Sequence, residues 1–322
     1  MLIQGGSKPY LALGLCVVSC LLLATSPARG IIFYSTGATD YNTTAPTGDL
    51  AGSGWQYQGT WQYMLGTPVA DRFFITAKHV GGSVGDTFTY NGVDYTTVAK
   101  YDDPTGTDLR IWEVSQSFSD WAPLYSAGNE QNKNLVVFGR GKTRGETVTA
   151  GGEDKGWKWS SEGLGTMRWG ENTITGTANG GELLYAEFNT GAGINEAHLA
   201  DRDSGGAVFI KDPDDETWKL AGINYGVNGP FNLTDNPADP DYEEFHAALY
   251  DMGGLYIKDG GGWDYIGDKP QDIPSSFYVT RISSRVDWIN TVIPEPGTIV
   301  LIGAGACLLL FCHRRRHTPA DR

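Results

Sequence analysis

Three short segments of the chain carry residues that together could perform nucleophilic chemistry. His79 ends an apolar run, Asp108 begins an alternating run, and Ser204 lies in a Ser-Gly-Gly turn that leads into another apolar run. A serine hydroxyl is a weak nucleophile near neutral pH, so it needs a base that removes its proton and a carboxylate that orients the base. The chain supplies all three groups, in the order His, Asp, Ser.

Each of the three residues also has a simpler interpretation. A histidine after a strand, an aspartate that caps a turn and a serine in a glycine turn all occur in proteins without catalytic activity. Their occurrence together, each beside an apolar run, favours the catalytic interpretation.

The elements that must position these residues read as short strands. Apolar and aromatic runs alternate with Gly-, Asn- and Asp-containing turns, which is typical of an all-β sandwich or barrel. The predicted strands cover residues 61–65, 73–76, 87–90, 109–114, 135–139, 207–210 and 220–225. Near the end, Ile282, Val286 and Ile289 fall on one helical face. The Gly-, Pro- and Asp-rich residues 228–275 are predicted to form a long surface insertion.

Composition narrows the classes of function. The 322 residues include 24 Lys and Arg and 38 Asp and Glu, which gives a net charge of −14. A surface this acidic repels phosphate backbones, so no nucleic-acid partner is expected. All four cysteines lie outside residues 31–292, so this region forms neither disulfides nor thiolate metal sites. They are Cys16, Cys20, Cys307 and Cys312.

The first 30 residues have the pattern of a secretory signal peptide. An apolar run over residues 11–23 follows Lys8 and precedes small residues around Ala28. The run is short for a membrane span, and small residues are what signal peptidases read.

The C-terminal end also has the pattern of an export segment. Pro294, Glu295 and Pro296 precede an apolar transmembrane segment, residues 297–312, and a cluster of arginines. Basic residues after such a segment hold that end on the cytoplasmic side. Residues 293–317 resemble the PEP-CTERM sorting signal of exported proteins in Gram-negative bacteria. The resemblance implies transient inner-membrane anchoring, an exosortase-type processing enzyme, and delivery to the cell surface, extracellular matrix or medium; a plain membrane anchor is the alternative.

The three chemical motifs, in their order and local contexts, resemble those of the chymotrypsin-like (trypsin-like, peptidase S1-like) serine proteases. Residues 220–226 resemble the strand that pairs with the substrate backbone, and residues 278–289 the closing strand and helix. Residues 136–141 resemble the strand that opens the second barrel. The resemblance implies two antiparallel six-stranded β-barrels, about residues 31–125 and 130–281, and a short C-terminal helix over about residues 282–291.

The resemblance also implies roles for individual residues. Ser204 would be the nucleophile, His79 the general base and Asp108 the residue that orients the imidazole. The backbone N–H groups of Arg202 and Ser204 would form the oxyanion hole. The remaining predicted substrate-binding residues are His198, near the base of the primary pocket, and Asn224, Tyr225 and Gly226, which would bind the substrate main chain. The implied activity is that of an endopeptidase with polypeptide substrates, an acyl-enzyme and no cofactor or metal.

Two features bear on whether such a site would work. Arg202 stands where the family usually has glycine, and a side chain there resists the backbone geometry that the oxyanion hole requires. In animal members of the family, a freed N-terminus pairs with the aspartate before the nucleophile. Cleavage after Gly30 would expose Ile31, and Asp203 is the matching acid.

Alternative functions follow from the same residues. If Arg202 spoils the oxyanion hole, the chain is a catalytically impaired binding or matrix module on the same fold. A plain structural matrix protein would leave the coincidence of His79, Asp108 and Ser204 unexplained. Asp235, Asn236, Asp239 and Asp241 suggest a calcium site, but their spacing matches no complete loop pattern, so a solvated acidic loop is favoured.

Overall fold

The computed structural model describes residues 28–160 and 165–293, and these residues form mostly short β-strands. In chain order the strands are β1 (Ala28–Arg29), β2 (Ile32–Phe33), β3 (Gly59–Trp61), β4 (Met64–Ala70), β5 (Phe73–Ala77), β6 (Thr87–Tyr90), β7 (Val93–Asp102), β8 (Leu109–Val114), β9 (Asn134–Gly139), β10 (Arg144–Ala150), β11 (Glu153–Trp159), β12 (Gly165–Thr166), β13 (Arg168–Thr173), β14 (Gly176–Ala178), β15 (Leu183–Glu187), β16 (Ala197–His198), β17 (Ala207–Lys211), β18 (Trp218–Val227), β19 (Phe231–Asn232), β20 (Ala247–Leu249), β21 (Tyr256–Asp259), β22 (Gly262–Tyr265) and β23 (Ser276–Arg281).

Helical structure is limited to short pieces. One α-helix, α1 (Val286–Val292), lies at the C-terminal end of the described residues. The 3₁₀ turns are Gly48–Leu50, Trp55–Tyr57, Lys78–Val80 and Asn179–Gly181.

The first half of the domain is a closed six-stranded barrel in the order β3-β4-β5-β8-β7-β6. Large aromatic side chains fill its interior. Phe74 and Phe88 stack with ring centroids 4.0 Å apart, and Trp61 contacts Trp112 at 4.8 Å. These rings bury a large apolar area, so the barrel holds together without disulfides.

The second half is a curled seven-stranded sheet in the order β13-β9-β17-β18-β23-β15-β14. One apolar cluster joins it to the first barrel, with Ile75 and Leu109 from the barrel and Phe138, Phe209 and Ile223 from the sheet. The predicted all-β architecture with two barrel-like halves and a short C-terminal helix is confirmed. The second half differs from the expectation in having seven strands in a half-barrel.

The predicted strands agree with the observed ones except at residues 61–65. This run contains a hairpin turn, because Gln62 and Tyr63 adopt positive φ angles of 47° and 67° between β3 and β4. Residues other than glycine rarely adopt positive φ angles, and the sequence has no glycine or asparagine at these positions that would indicate a turn. The C-terminal helix begins at Val286 rather than near residue 282.

The N-terminal segment packs on the second half, although the sequence assigned residues from 31 onward to the first barrel. Strand β2 pairs with β16, and Ile31 and Phe33 join the apolar cluster that includes Leu135 and Val208. The chain therefore crosses the second half before it enters the first barrel.

The predicted insertion, residues 228–275, is more ordered than a surface loop. Its strand β20 pairs with β11, and Phe231, Phe245 and Leu249 share a small core with Val148. The buried ammonium of Lys155 lies 2.6 Å from the Asp251 carboxylate and ties the β10–β11 hairpin to the insertion. The β10–β11 hairpin and the insertion together form one small subdomain beside the second sheet.

The two predicted export segments fall largely or wholly outside the described residues. The structure describes only residues 28–30 of the predicted signal peptide and only residue 293 of the predicted sorting signal. Within residues 28–160 and 165–293, no helix has the length and apolar character needed to cross a membrane.

Candidate active site

His79 and Asp108 are brought together by the pairing of two neighbouring strands of the barrel. Strand β5 ends at Ala77, which pairs with Leu109 at the start of β8. The residues just beyond these strand ends must therefore be neighbours. The Asp108 carboxylate lies 2.5 Å from His79 Nδ1 and also accepts the His79 backbone N–H at 2.8 Å.

This pairing determines which imidazole nitrogen is available for catalysis. A carboxylate only accepts hydrogen bonds, so Nδ1 of His79 carries the proton and Nε2 is left as an acceptor. His79 Nε2 lies 2.7 Å from Ser204 Oγ, which donates to it. The three predicted catalytic residues thus form one connected chain from carboxylate to hydroxyl.

Ser204 lies in a turn that only glycine-rich sequence can form. Gly205 has φ of 74°, and a Cβ there would come within 2.3 Å of Thr76 Oγ1 and 2.4 Å of the Leu65 carbonyl oxygen. A Cβ on Gly206 would come within 2.1 Å of the Phe138 carbonyl oxygen. The absence of a side chain lets Gly205 lie against the first barrel and lets Gly206 lie against β9 of the second sheet.

Asp203, the residue before Ser204, anchors the same turn to the rest of the second half through its side chain. Its buried carboxylate accepts hydrogen bonds from the backbone N–H groups of Gly141 and Ala200 at 2.8 Å and of Ile31 at 3.2 Å. Burial raises the pKa of Asp203 to about 7, although these hydrogen bonds and nearby Arg168 act to lower it. The carboxylate therefore links the N-terminal segment to the nucleophile turn.

The contact between Ile31 and Asp203 is the one that the resemblance implied for a freed N-terminus. The structure shows it with the Gly30–Ile31 peptide bond intact. Gly30 is buried, and a Cβ there would come within 2.4 Å of the Arg140 backbone nitrogen. Ile31 has a positive φ of 65°, which is rare for a β-branched residue.

Arg202 adopts the backbone geometry that was expected to be difficult for a residue other than glycine. Its φ is 69°, in the left-handed region. No described residue accepts a hydrogen bond from the backbone N–H of Arg202 or Ser204. Both residues line the cavity beside the Ser204 hydroxyl. Two backbone donors without a described partner thus lie next to the Ser204 hydroxyl, as the predicted oxyanion hole requires.

Two cavities flank the predicted catalytic residues. A cleft of about 870 Å³ is lined by His79 and Asp108, and a smaller cavity of about 250 Å³ is lined by Ser204. Tyr225 and Gly226 line both cavities. An extended chain that passes from one to the other would run beside these two residues and past the Ser204 hydroxyl.

The predicted substrate-binding residues lie in three different environments. Tyr225 and Gly226 line the cavities, Asn224 is buried beside the Ser204 turn, and His198 lies in the core. Tyr225 is exposed in the cleft, with its ring centroid 6.4 Å from that of His79. Asn224 is buried, and its amide donates to the carbonyl oxygens of Phe138 and Asp203. It therefore positions the nucleophile turn through its side chain.

His198 lies outside both cavities, so its predicted place at the base of the primary pocket is not supported. The imidazole is fully buried between Phe188 and Phe277, and its Nδ1–H donates to the Leu199 carbonyl oxygen at 2.7 Å. Burial lowers the pKa of His198 to about 4. Its place in the chain points to the pocket, but the backbone turns the side chain into the core.

Two residues beside Ser204 were missed by sequence reasoning. Trp159, at the end of β11, and His246, just before β20, line the smaller cavity. They are 87 positions apart in sequence and belong to no recognisable motif. Only the pairing of β11 with β20 brings them together, and no local pattern in the sequence indicates that pairing.

The calcium site considered for the acidic loop gains no support. Within the described ranges, no group of three or more His, Cys, Asp or Glu side chains is arranged to hold a metal ion. In the acidic loop, Asn236 Oδ1 accepts from the Ala238 N–H and Asp239 Oδ1 from the Asp241 N–H. These oxygens cap the turns of their own loop.

Comparison with known proteins adds no family to these observations: no family model matches the chain, and no curated protein sequence matches it.

Proposed function

We propose that the protein is an exported serine endopeptidase that hydrolyses peptide bonds through Ser204, His79 and Asp108. The main support is the connected hydrogen-bond chain, with 2.7 Å between Ser204 Oγ and His79 Nε2 and 2.5 Å between His79 Nδ1 and Asp108. Two free backbone donors beside the same hydroxyl add to it. The first barrel supplies the base and its carboxylate, and the second sheet supplies the nucleophile.

Acylation would begin with attack of Ser204 Oγ on a peptide carbonyl carbon, while His79 Nε2 takes the hydroxyl proton. The Asp108 carboxylate would stabilise the imidazolium that forms. The carbonyl oxygen becomes an oxyanion, which the N–H groups of Arg202 and Ser204 would bind. The imidazolium then gives its proton to the departing amine, and the C–N bond breaks to leave an acyl-enzyme.

Deacylation would repeat these steps with water in place of serine. His79 Nε2 removes a proton from water, and the resulting hydroxide attacks the ester carbon of the acyl-enzyme. Collapse of the second tetrahedral intermediate returns the proton to Ser204 Oγ and releases the carboxylic acid. The chemistry needs no metal or cofactor.

We also propose that the chain is exported by its N-terminal segment and sorted by its C-terminal one. The partners would be polypeptide substrates and an exosortase-type enzyme. Membrane contact would occur only through residues 297–312. Mass spectrometry of the exported protein would test this by locating its two ends; a C-terminus still at Arg322 would favour a plain anchor.

Signal removal after Gly30 would also complete the site. The free Ile31 ammonium would then lie beside the buried Asp203 carboxylate, at the place where the Ile31 nitrogen is 3.2 Å away. A protein that begins at Ile31 should be more active than one extended by Gly-Ser. Equal activity of the two forms would contradict this maturation step.

The endopeptidase proposal is tested by hydrolysis of fluorescently quenched casein with the exported protein. Ser204→Ala should lower the rate by about 10⁴-fold or more. Ser119→Ala, at an exposed serine in the loop after β8, is the matched control and should match the unaltered protein. If the exported protein does not hydrolyse casein, or if Ser204→Ala hydrolyses it equally fast, the proposal is replaced by a binding or matrix module on the same fold.

A further inference from the structure

The cavity of about 250 Å³ beside Ser204 has the size and position of a pocket for one substrate side chain. It would hold roughly eight water molecules at about 30 Å³ each. Its walls come from the two segments next to the nucleophile, residues 199–204 and 224–227, and from Trp159 and His246. A peptide carbonyl bound at the free N–H groups of Arg202 and Ser204 would place the side chain of that same residue at this cavity.

Trp159 and His246 form one stacked aromatic wall. Their ring centroids are 4.5 Å apart, and the ring planes differ by 11°. The Trp159 backbone N–H donates to the His246 carbonyl oxygen at 2.9 Å, and the next residues pair as part of β11 and β20. The wall is therefore held by sheet pairing and does not depend on a free loop.

The charges around this cavity are already paired or withdrawn from it. Asp203 is buried under three backbone N–H groups, and Asp201 lies 3.4 Å from the Lys142 ammonium. Arg202 is 4.0 Å from Asp201. A cationic substrate side chain would find no unpaired carboxylate at this cavity, so its burial there would be costly.

His246 contributes an aromatic face rather than a charge. Burial lowers its pKa, and nearby Lys142 acts in the same direction, whereas Glu244 and Asp201 act to raise it. The ring is therefore less readily protonated than a free imidazole. Leu199, Ala200 and Val227 add aliphatic surface to the cavity.

We propose that this cavity is the primary specificity pocket and that the Trp159–His246 wall selects peptides with an aromatic residue on the acyl side of the cleaved bond. Aromatic rings gain from offset or edge contacts with other rings beyond their area burial. This inference rests on the proposed endopeptidase function, because only a working nucleophile gives the pocket a cleavage preference.

The test compares kcat/KM for matched peptide amides that differ only in the residue before the scissile bond: Phe, Leu, Lys or Glu. The exported protein should cleave the Phe peptide about 100-fold better than the Lys and Glu peptides. His246→Glu places a carboxylate in the wall and should raise kcat/KM for the Lys peptide by about tenfold or more. A gain of this kind does not arise from misfolding.

Trp263→Ala is the matched control. Trp263 lies in the same insertion, next to Tyr242 and outside the cavity, so this variant should keep the aromatic preference. Labelling of Ser204 by a fluorophosphonate separates the assignment of the pocket from the endopeptidase function. Labelling with a preference for Lys or Glu peptides, or with an unchanged profile in His246→Glu, overturns the pocket assignment alone. No labelling and no cleavage of any peptide overturns the endopeptidase function and this inference with it.

Discussion

The two halves of the molecule contribute to the site in different ways. The first barrel positions His79 and Asp108 through one pair of adjacent strands, β5 and β8, whose ends are in register. The second half builds the Ser204 turn from four separate segments: the N-terminal segment, β9, β17 and β18. The base therefore depends on local strand pairing, whereas the nucleophile depends on long-range contacts that close around Asp203.

The largest effect should follow from breaking the contribution of the first barrel. Asp108→Asn leaves a side chain of the same shape but favours the wrong imidazole tautomer, so kcat should fall by about 10⁴-fold. The measurement is kcat on a cleaved peptide, with circular dichroism as the check on folding. Asp94→Asn is the control, because Asp94 is exposed on the β6–β7 hairpin, where its carboxylate accepts a hydrogen bond from Thr89 Oγ1. A loss below about tenfold for Asp108→Asn would contradict the role of Asp108.

Breaking the contribution of the second half should instead lower stability. Gly205→Ala adds a methyl group where a Cβ meets Thr76 and Leu65, so the free energy of unfolding should fall by about 3 kcal/mol. Gly92 has the same φ of 74° but open space around it. Gly92→Ala should therefore cost only about 1 kcal/mol. Urea unfolding measures both, and equal losses would show that crowding at the Ser204 turn is unimportant.

The buried His198 should make the second half sensitive to acid. Burial lowers its pKa from 6.5 to about 4, so below pH 6.5 the unfolded chain takes up a proton that the folded protein does not. This contribution to stability is complete above pH 6.5 and is lost as the pH falls toward 4, by about 3 kcal/mol at most.

His198→Gln should remove this part of the pH dependence. The measurement is the difference in unfolding free energy between the two proteins at pH 7.5 and at pH 4.5. Asp203, whose raised pKa of about 7 acts in the opposite direction, is present in both proteins, so its contribution cancels. An identical acid response of the two proteins would contradict the assignment to His198.

The smallest effect is expected at Arg202. Arg202→Gly keeps the backbone N–H and relieves the left-handed strain, so kcat should stay within about threefold of the unaltered protein. Removal of an oxyanion donor would cost about 10²–10³-fold. An increase of tenfold or more in Arg202→Gly would show that the arginine impairs the hole, as the binding-module alternative requires.

The three residues that the structure brings together could be predicted from sequence because each lies beside a short, clearly apolar strand. His79 follows β5, Asp108 precedes β8, and Ser204 precedes β17, so local patterns located all three. Hydrophobic periodicity also indicated the all-β fold. Local patterns are sufficient where neighbouring strands do the positioning.

The remaining features could not be predicted, because long-range packing decides them. Trp159 and His246 face one cavity only because β11 of the β10–β11 hairpin pairs with β20 of the insertion. His198 occupies the expected place in the chain, but the core between Phe188 and Phe277 takes its ring. Ile31 reaches Asp203 because the N-terminal segment pairs with β16, for which residues 28–33 carry no distinctive pattern.

The proposed catalytic mechanism is tested most simply by reaction of the exported protein with a fluorophosphonate, followed by mass mapping of the modified residue. Such a probe reacts where a base activates a serine and backbone donors hold the developing oxyanion. We expect stoichiometric modification at Ser204 that is lost in Ser204→Ala and His79→Ala. A folded protein that remains unmodified, or one modified at another residue, would contradict it.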